Sequence, residues 1–171
     1  EHSPLGKASA YTDHYDPALL FPIARADKRL EIGVDDKPPF FGADLWTAYE
    51  LSWLDKDGRP RCGLAEFIVP ADSPCIIESK SFKLYLNSFN QTRIGDSERL
   101  RQMLVRDLSA ACGSAINATL LPANASHGFP VEMLTGEVID DLEADINYYG
   151  PPEPLYLTIS EETQVGETLV S

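Results

Sequence analysis

The chain has 171 residues, 43% hydrophobic and 24% charged, a globular composition that excludes wholesale disorder and is long enough to fold without a disulfide or metal staple. A net charge of -13, with no apolar run near the roughly 18 residues that span a bilayer, argues against nucleic-acid and membrane partners. The charge is uneven: Arg106 is the last basic residue, and ten acids from Glu132 to Glu167 give residues 108–171 a charge of -10.

Residues 1–40 carry turn formers throughout (Pro4, Gly6, Pro17, Pro22, Gly33, Pro38, Pro39) and read as an extended arm. Its apolar points, among them Tyr15, Leu19, Leu20 and Phe21, are expected to pack on a surface. Asp44 to Leu54 alternates like a strand, with Leu45, Thr47, Tyr49, Leu51 and Trp53 on one face and Trp46, Ala48, Glu50 and Ser52 on the other. This places Trp46 and Trp53 on opposite faces. Asp55-Lys56-Asp57-Gly58 supplies a hairpin turn, and Arg61 to Val69 the return strand.

Ile77 to Asn90 reads as an amphipathic helix, with Phe82, Tyr85, Leu86 and Phe89 in one stripe. A second helix, capped by Asp96 or Ser97, runs through Cys112 and stops at Gly113. Strands are expected at Ser114–Leu121 and Val131–Ile139, before an acidic, Pro-rich tail. The expected fold is therefore α+β, in the order ββααββ, with both helices on one face of an antiparallel sheet. The expected divisions are an arm (1–40), a folded module (41–140) and an acidic segment (141–171). Cys62, Cys75 and Cys112 lack CxxC spacing and read as reduced thiols, which with no visible leader points to the cytoplasm. His2, His14 and His127 are not spaced to ligate a metal with any Cys.

The densest polar cluster is Glu78-Ser79-Lys80-Ser81-Phe82-Lys83-Leu84-Tyr85-Leu86-Asn87-Ser88-Phe89-Asn90, opening a helix just after a strand-like triplet. A helix N-terminus offers unpaired N–H groups and the positive end of the dipole, which suit phosphate. Ser79 and Ser81 add hydroxyls, Lys80 and Lys83 add charge, and the Glu78 carboxylate can accept two parallel N–H bonds from a guanine-like edge. The same residues also fit a plain solvated helix start, where Glu is favoured by the dipole.

This run, with Asn90-Gln91-Thr92-Arg93 after it, resembles the signature of the 7-cyano-7-deazaguanine reductases, the nitrile reductases of queuosine biosynthesis. Leu5-Gly6-Lys7, Phe41-Gly42-Ala43-Asp44-Leu45-Trp46 and Tyr49-Glu50-Leu51-Ser52-Trp53-Leu54 resemble the long, two-module form of that family. The ending Glu167-Thr168-Leu169-Val170-Ser171 is similar to the stretch leading into its second module. The resemblance implies a tunnelling fold and a four-electron reduction of a nitrile to an amine with two NADPH, through a cysteine thioimide. It implies that Ile77, Glu78 and Ser79 contact 7-cyano-7-deazaguanine, and that Ser79, Lys80 and Lys83 contact NADPH.

The departures matter as much. Where the short relatives carry the nucleophilic Cys, the Asp and the His, this chain has Leu54, Arg61 and the stretch near Asp96 and Ser97. No catalytic residue is therefore assigned here, and the nucleophile is expected from a second module, in a homo-oligomer. Two other readings stand beside this one: a non-catalytic interaction module of the same fold, and a pterin- or purine-binding enzyme of that fold.

Overall fold

A long β-hairpin is the spine of the molecule. The computed structural model describes residues 12, 14–35, 38–123, 150 and 155. Those up to Ala123 fall in one unit, Glu1–Gly128; of the second unit, Phe129–Ser171, Gly150 and Leu155 are described. In chain order a 3-10 turn at Pro17–Leu19 precedes β1 (Pro22–Ala24), α1 (Arg25–Glu31), β2 (Ala43–Asp55), β3 (Pro60–Pro70) and β4 (Cys75–Ile77). Then come α2 (Ser79–Asn87), β5 (Arg93–Gly95), α3 (Ser97–Cys112) and β6 (Asn117–Pro122).

The architecture is α+β, compatible with a tunnelling-fold arrangement. The main sheet has the order β5-β2-β3-β6, antiparallel except where β5 runs parallel to the end of β2. β1 and β4 form a separate two-stranded ribbon. The expected ββααββ order corresponds to β2, β3, α2, α3 and β6, with the short β4 and β5 inserted between them. The strand expected over Val131–Ile139 lies outside the described residues.

α2 and α3 bury their apolar stripes against the hairpin. Phe82, Tyr85 and Phe89 meet Leu100, Leu104 and Leu108 from α3, and Leu51, Trp53, Ala65, Phe67 and Val69 from the sheet. Phe82 sits between Trp46 and Phe67, edge-on, at 5.6 and 5.1 Å between ring centroids. Asp96 caps α3 by accepting from the Arg99 amide at 2.8 Å, and Gly113 at φ +70° ends it, both as expected.

Three expectations need correction. First, β2 does not keep one face. Ala48 pairs with Ala65 but Leu51 with Gly63, so β2 holds one extra residue there. That bulge shifts the pleat by one, so Trp46 and Ala48 face the helices before it and Leu51 and Trp53 after it. Trp46 and Trp53 thus share a face, while Leu45 and Tyr49 are about three-quarters exposed (76% and 77%).

Second, the helix expected from Ile77 begins at Ser79. Ile77 pairs with Pro22 in the ribbon, and Glu78 is the cap.

Third, the N-terminal segment is more than an extended arm. Arg25–Glu31 has neither Gly nor Pro and forms α1, because this run of good helix formers outweighs the turn residues on either side. Tyr15, Leu19 and Leu20 pack against the core, as expected of the arm's apolar points.

Candidate functional site

The signature helix starts where the ribbon ends. Glu78 has extended backbone (φ -64°, ψ 130°), and its carboxylate bends back over the first turn of α2. Oε1 accepts from the Lys80 amide at 3.0 Å and Oε2 from the Ser81 amide at 2.7 Å. Each oxygen spends one acceptor position on the cap. A carboxylate has about four in all, so one remains on each oxygen. Glu78 is buried (6% exposed), as is Ile77 before it.

Beside this start lies a groove of about 460 Å³ between β2 and α2. One wall is the polar stripe Ser79, Lys83, Asn87 and Asn90, spaced four, four and three. The other is the bulged stretch of β2, with Trp46, Tyr49 and Glu50. β2 pairs with β5 only at Leu54 and Asp55, so among the described residues no strand covers that edge from Ala43 to Trp53.

The structure therefore divides the expected site residues. Ser79 and Lys83 come together on the groove. Lys80 is half-buried and does not line it, and Ile77 and Glu78 stand behind the helix start. Ser81 is not a free hydroxyl: it is 1% exposed, donates to the Glu78 carbonyl at 2.7 Å and accepts from the Phe21 amide at 3.0 Å. Asn87 and Asn90 belong to the polar cluster of the sequence but carry no assigned role there, although their spacing from Ser79 and Lys83 is the signal that finds them. Ser81 and Ser88, seven apart, share the opposite role. Ser88 Oγ accepts from the Asp16 amide at 3.3 Å and donates to the Tyr85 carbonyl at 2.6 Å.

A second hollow of about 410 Å³ lies at the hairpin turn, lined by Asp55, Lys56, Asp57, Arg59, Arg61, Gly95 and Asp96. Leu54 pairs with Pro60 and with Arg93 at the same end of the sheet. Arg61 and Asp96 thus line one hollow near the Leu54 end of the sheet, and no thiol or imidazole is among its lining residues. The Arg61 guanidinium is spent on Asp55 Oδ2 at 2.8 and 3.1 Å. The Asp55 carboxyl is held below the usual range, first by the Arg59 amide, then by Arg61 and the Asp57 amide.

The cysteines lie elsewhere. Cys62 is exposed on β3, Cys75 is half-buried on β4, and Cys112 is fully buried, with burial pushing its thiol up. A raised thiol is a poor nucleophile at neutral pH. Among the described residues no helix is long and apolar enough to cross a membrane, and no group of His, Cys, Asp and Glu is placed to hold a metal.

Comparison with known proteins bears on the whole segment. The family model described as nitrile reductase, 7-cyano-7-deazaguanine-reductase N-term, matches residues 11–120. The chain belongs to this family. Among curated 7-cyano-7-deazaguanine reductases, each named NADPH-dependent, the Polaromonas sp. protein is 50% identical over 171 residues. The Cupriavidus taiwanensis protein is 52% identical over 173 residues and the Chromobacterium violaceum protein 51% over 172. Each match covers 100% of this chain but only 61–62% of the relative, so the chain spans less than two thirds of these reductases.

Proposed function

We propose that this chain is the N-terminal module of an NADPH-dependent reductase that converts the nitrile of 7-cyano-7-deazaguanine to an aminomethyl group in queuosine biosynthesis, a tRNA modification. Its share of the work is to grip the base and the cofactor; the nucleophile comes from elsewhere. One observation carries this reading: the signature helix turns Ser79 and Lys83 onto a groove. The resemblance to the short relatives, which would put their reacting groups at Leu54, Arg61 and near Asp96, supports a nucleophile from elsewhere.

Glu78 is suited to the base. The two acceptor positions that its cap leaves open match two adjacent N–H donors on a guanine-like edge. Ile77 and Ser79 flank it and complete the base contact. The groove suits NADPH: its volume is that of a small-molecule site, Lys83 and Ser79 answer phosphate, and Trp46 and Phe82 offer aromatic surface to a flat ring. Lys80 keeps the cofactor contact that the family resemblance implies, from outside the lining of the groove. NADPH supplies hydride when bound.

The nitrile carbon needs a thiolate to form a thioimide, and its reduction needs a site closed to water. This chain contributes neither by itself. Among the described residues no strand covers β2 from Ala43 to Trp53, and we take that edge as the place of a partner, a catalytic second module within a homo-oligomer. The three cysteines without a disulfide fit the cytoplasm, and the absence, among the described residues, of a His, Cys, Asp and Glu group placed to hold a metal disfavours a pterin enzyme with a metal.

Intact-mass spectrometry tests the division of labour. Incubated with 7-cyano-7-deazaguanine and no reductant, this chain is expected to keep its mass, while the natural full-length protein gains one ligand. A stable adduct on this chain overturns the placement of the nucleophile outside it.

A further inference from the structure

Glu is an uncommon choice for a helix cap. Ser, Thr, Asp and Asn are preferred, and a longer side chain loses more rotamer freedom when it is fixed. A residue that works against local preference at a functional position has something else holding it. Here the holder is visible. The Glu78 amide donates to the Phe21 carbonyl at 2.9 Å, the Phe21 amide donates to Ser81 Oγ at 3.0 Å, and Ser81 Oγ donates to the Glu78 carbonyl at 2.7 Å. These three bonds close a ring around the start of α2. Phe21 spends both of its backbone groups on it.

The ring belongs to a longer strap. The Tyr15 amide donates to Thr92 Oγ1 at 3.0 Å, the Asp16 amide to Ser88 Oγ, and the Arg25 amide to the Pro74 carbonyl at 3.0 Å. Pro22 to Ala24 then pairs with Ile77 to Cys75. Residues 15–25 are thus stitched along the signature helix and the strand before it, using serines on the face opposite the groove.

We propose that this strap is a positioning device: Phe21, acting through Ser81, sets the Glu78 carboxylate and thereby the choice of ligand edge. The proposal rests on the base-binding role given to Glu78 above. A carboxylate held at one angle rewards two adjacent N–H donors over an edge that offers one, because the second open acceptor position then stays buried and unmatched. Released from the ring, the same carboxylate adapts to either edge. Ser81 and Phe21 touch no ligand in this scheme and act only through Glu78.

The test uses two readouts. On this chain, amide hydrogen exchange reports the cap directly. In the natural full-length protein, the ratio of kcat/KM for 7-cyano-7-deazaguanine to that for its analogue without the exocyclic amine reports the choice. Ser81→Ala is expected to speed exchange of the Lys80 amide about tenfold and to narrow the ratio about tenfold. Phe21→Pro deletes the strap's donor without touching α2, and Leu20 already has the φ -66° and ψ 124° that a residue before proline adopts. It is expected to act like Ser81→Ala. Ser88→Ala removes a strap bond two turns further on and is expected to destabilise the fold without moving the ratio. The proposal is overturned if Ser81→Ala and Phe21→Pro leave the ratio unchanged while Glu78→Gln collapses it, or if Ser88→Ala narrows it equally. If Glu78→Gln leaves the ratio intact, the base-binding role of Glu78 falls instead, and Lys80 exchange alone decides whether the strap holds the carboxylate.

Discussion

Tyr15 donates its hydroxyl to Asp107 Oδ2 at 2.7 Å, across 92 positions of sequence. Tyr85 donates to the same oxygen at 2.7 Å, and Arg106 Nε holds Oδ1 at 2.8 Å. Asp107 is buried, and these three donors supply the hydrogen bonds that a buried carboxylate needs. The strap is thereby fastened to α3 as well as to α2.

Tyr15→Phe removes one donor from that carboxylate and keeps the ring packed against Phe89 at 5.1 Å. The expected loss is about 1.5–2 kcal/mol, the lower part of the range for bonds to charged groups, since Tyr15 is only half-buried. Thermal unfolding of the paired proteins measures it; an unchanged Tm removes Tyr15 from the fastening.

Alkali should loosen the same bond. Burial, and then the hydrogen bond and charge of Asp107, push the Tyr15 hydroxyl up to about 12 from an ordinary 10. The folded value is the higher one, so this stabilisation is whole below about pH 10 and disappears as pH rises through about 12. Stability curves of wild type and Tyr15→Phe are expected to converge over that window. Curves that stay parallel contradict the assignment.

Asp55 works in the opposite direction. Its folded carboxyl lies below its unfolded value, so its contribution is present above about pH 3.9 and is lost as pH falls. Asp55→Asn should lower stability at neutral pH and flatten the acid limb of the melting curve. An acid limb as steep as wild type places the acid sensitivity elsewhere.

Gly63 is the point where the hairpin admits no side chain. A Cβ there would come within 2.8 Å of the Leu121 carbonyl oxygen and lie under the Trp53 ring. Gly63→Ala is expected to cost about 1–3 kcal/mol, read as a lower denaturant midpoint with the slope unchanged. A midpoint equal to wild type means that β6 yields at Leu121.

What could be read from sequence was local. The turn at Asp55-Lys56-Asp57-Gly58, the cap at Asp96 and the stop at Gly113 each depend on neighbours a few residues away, and each appears where expected. The face of β2 was not legible past Ala48, because alternation assumes an unbroken register and the bulge breaks it. α1 was hidden by averaging its seven residues with the prolines around them. In the candidate site, Ser79 and Lys83 stood out by type, a hydroxyl and a charge at a helix start, and do meet on the groove, whereas Lys80 does not line it. Ser81 stood out equally and serves the strap instead, because its partner, Phe21, lies 60 positions away.

The central claim is that one helix start divides its work, Glu78 for the base and Lys83 for the cofactor. The most direct check is a paired KM determination on the natural full-length protein carrying Glu78→Ala or Lys83→Ala. Glu78→Ala is expected to weaken the base by about 2–5 kcal/mol with the NADPH KM unchanged, and Lys83→Ala to raise the NADPH KM about tenfold or more with the base unaffected. Equal losses of both ligands in each variant, or no loss in either, would contradict it.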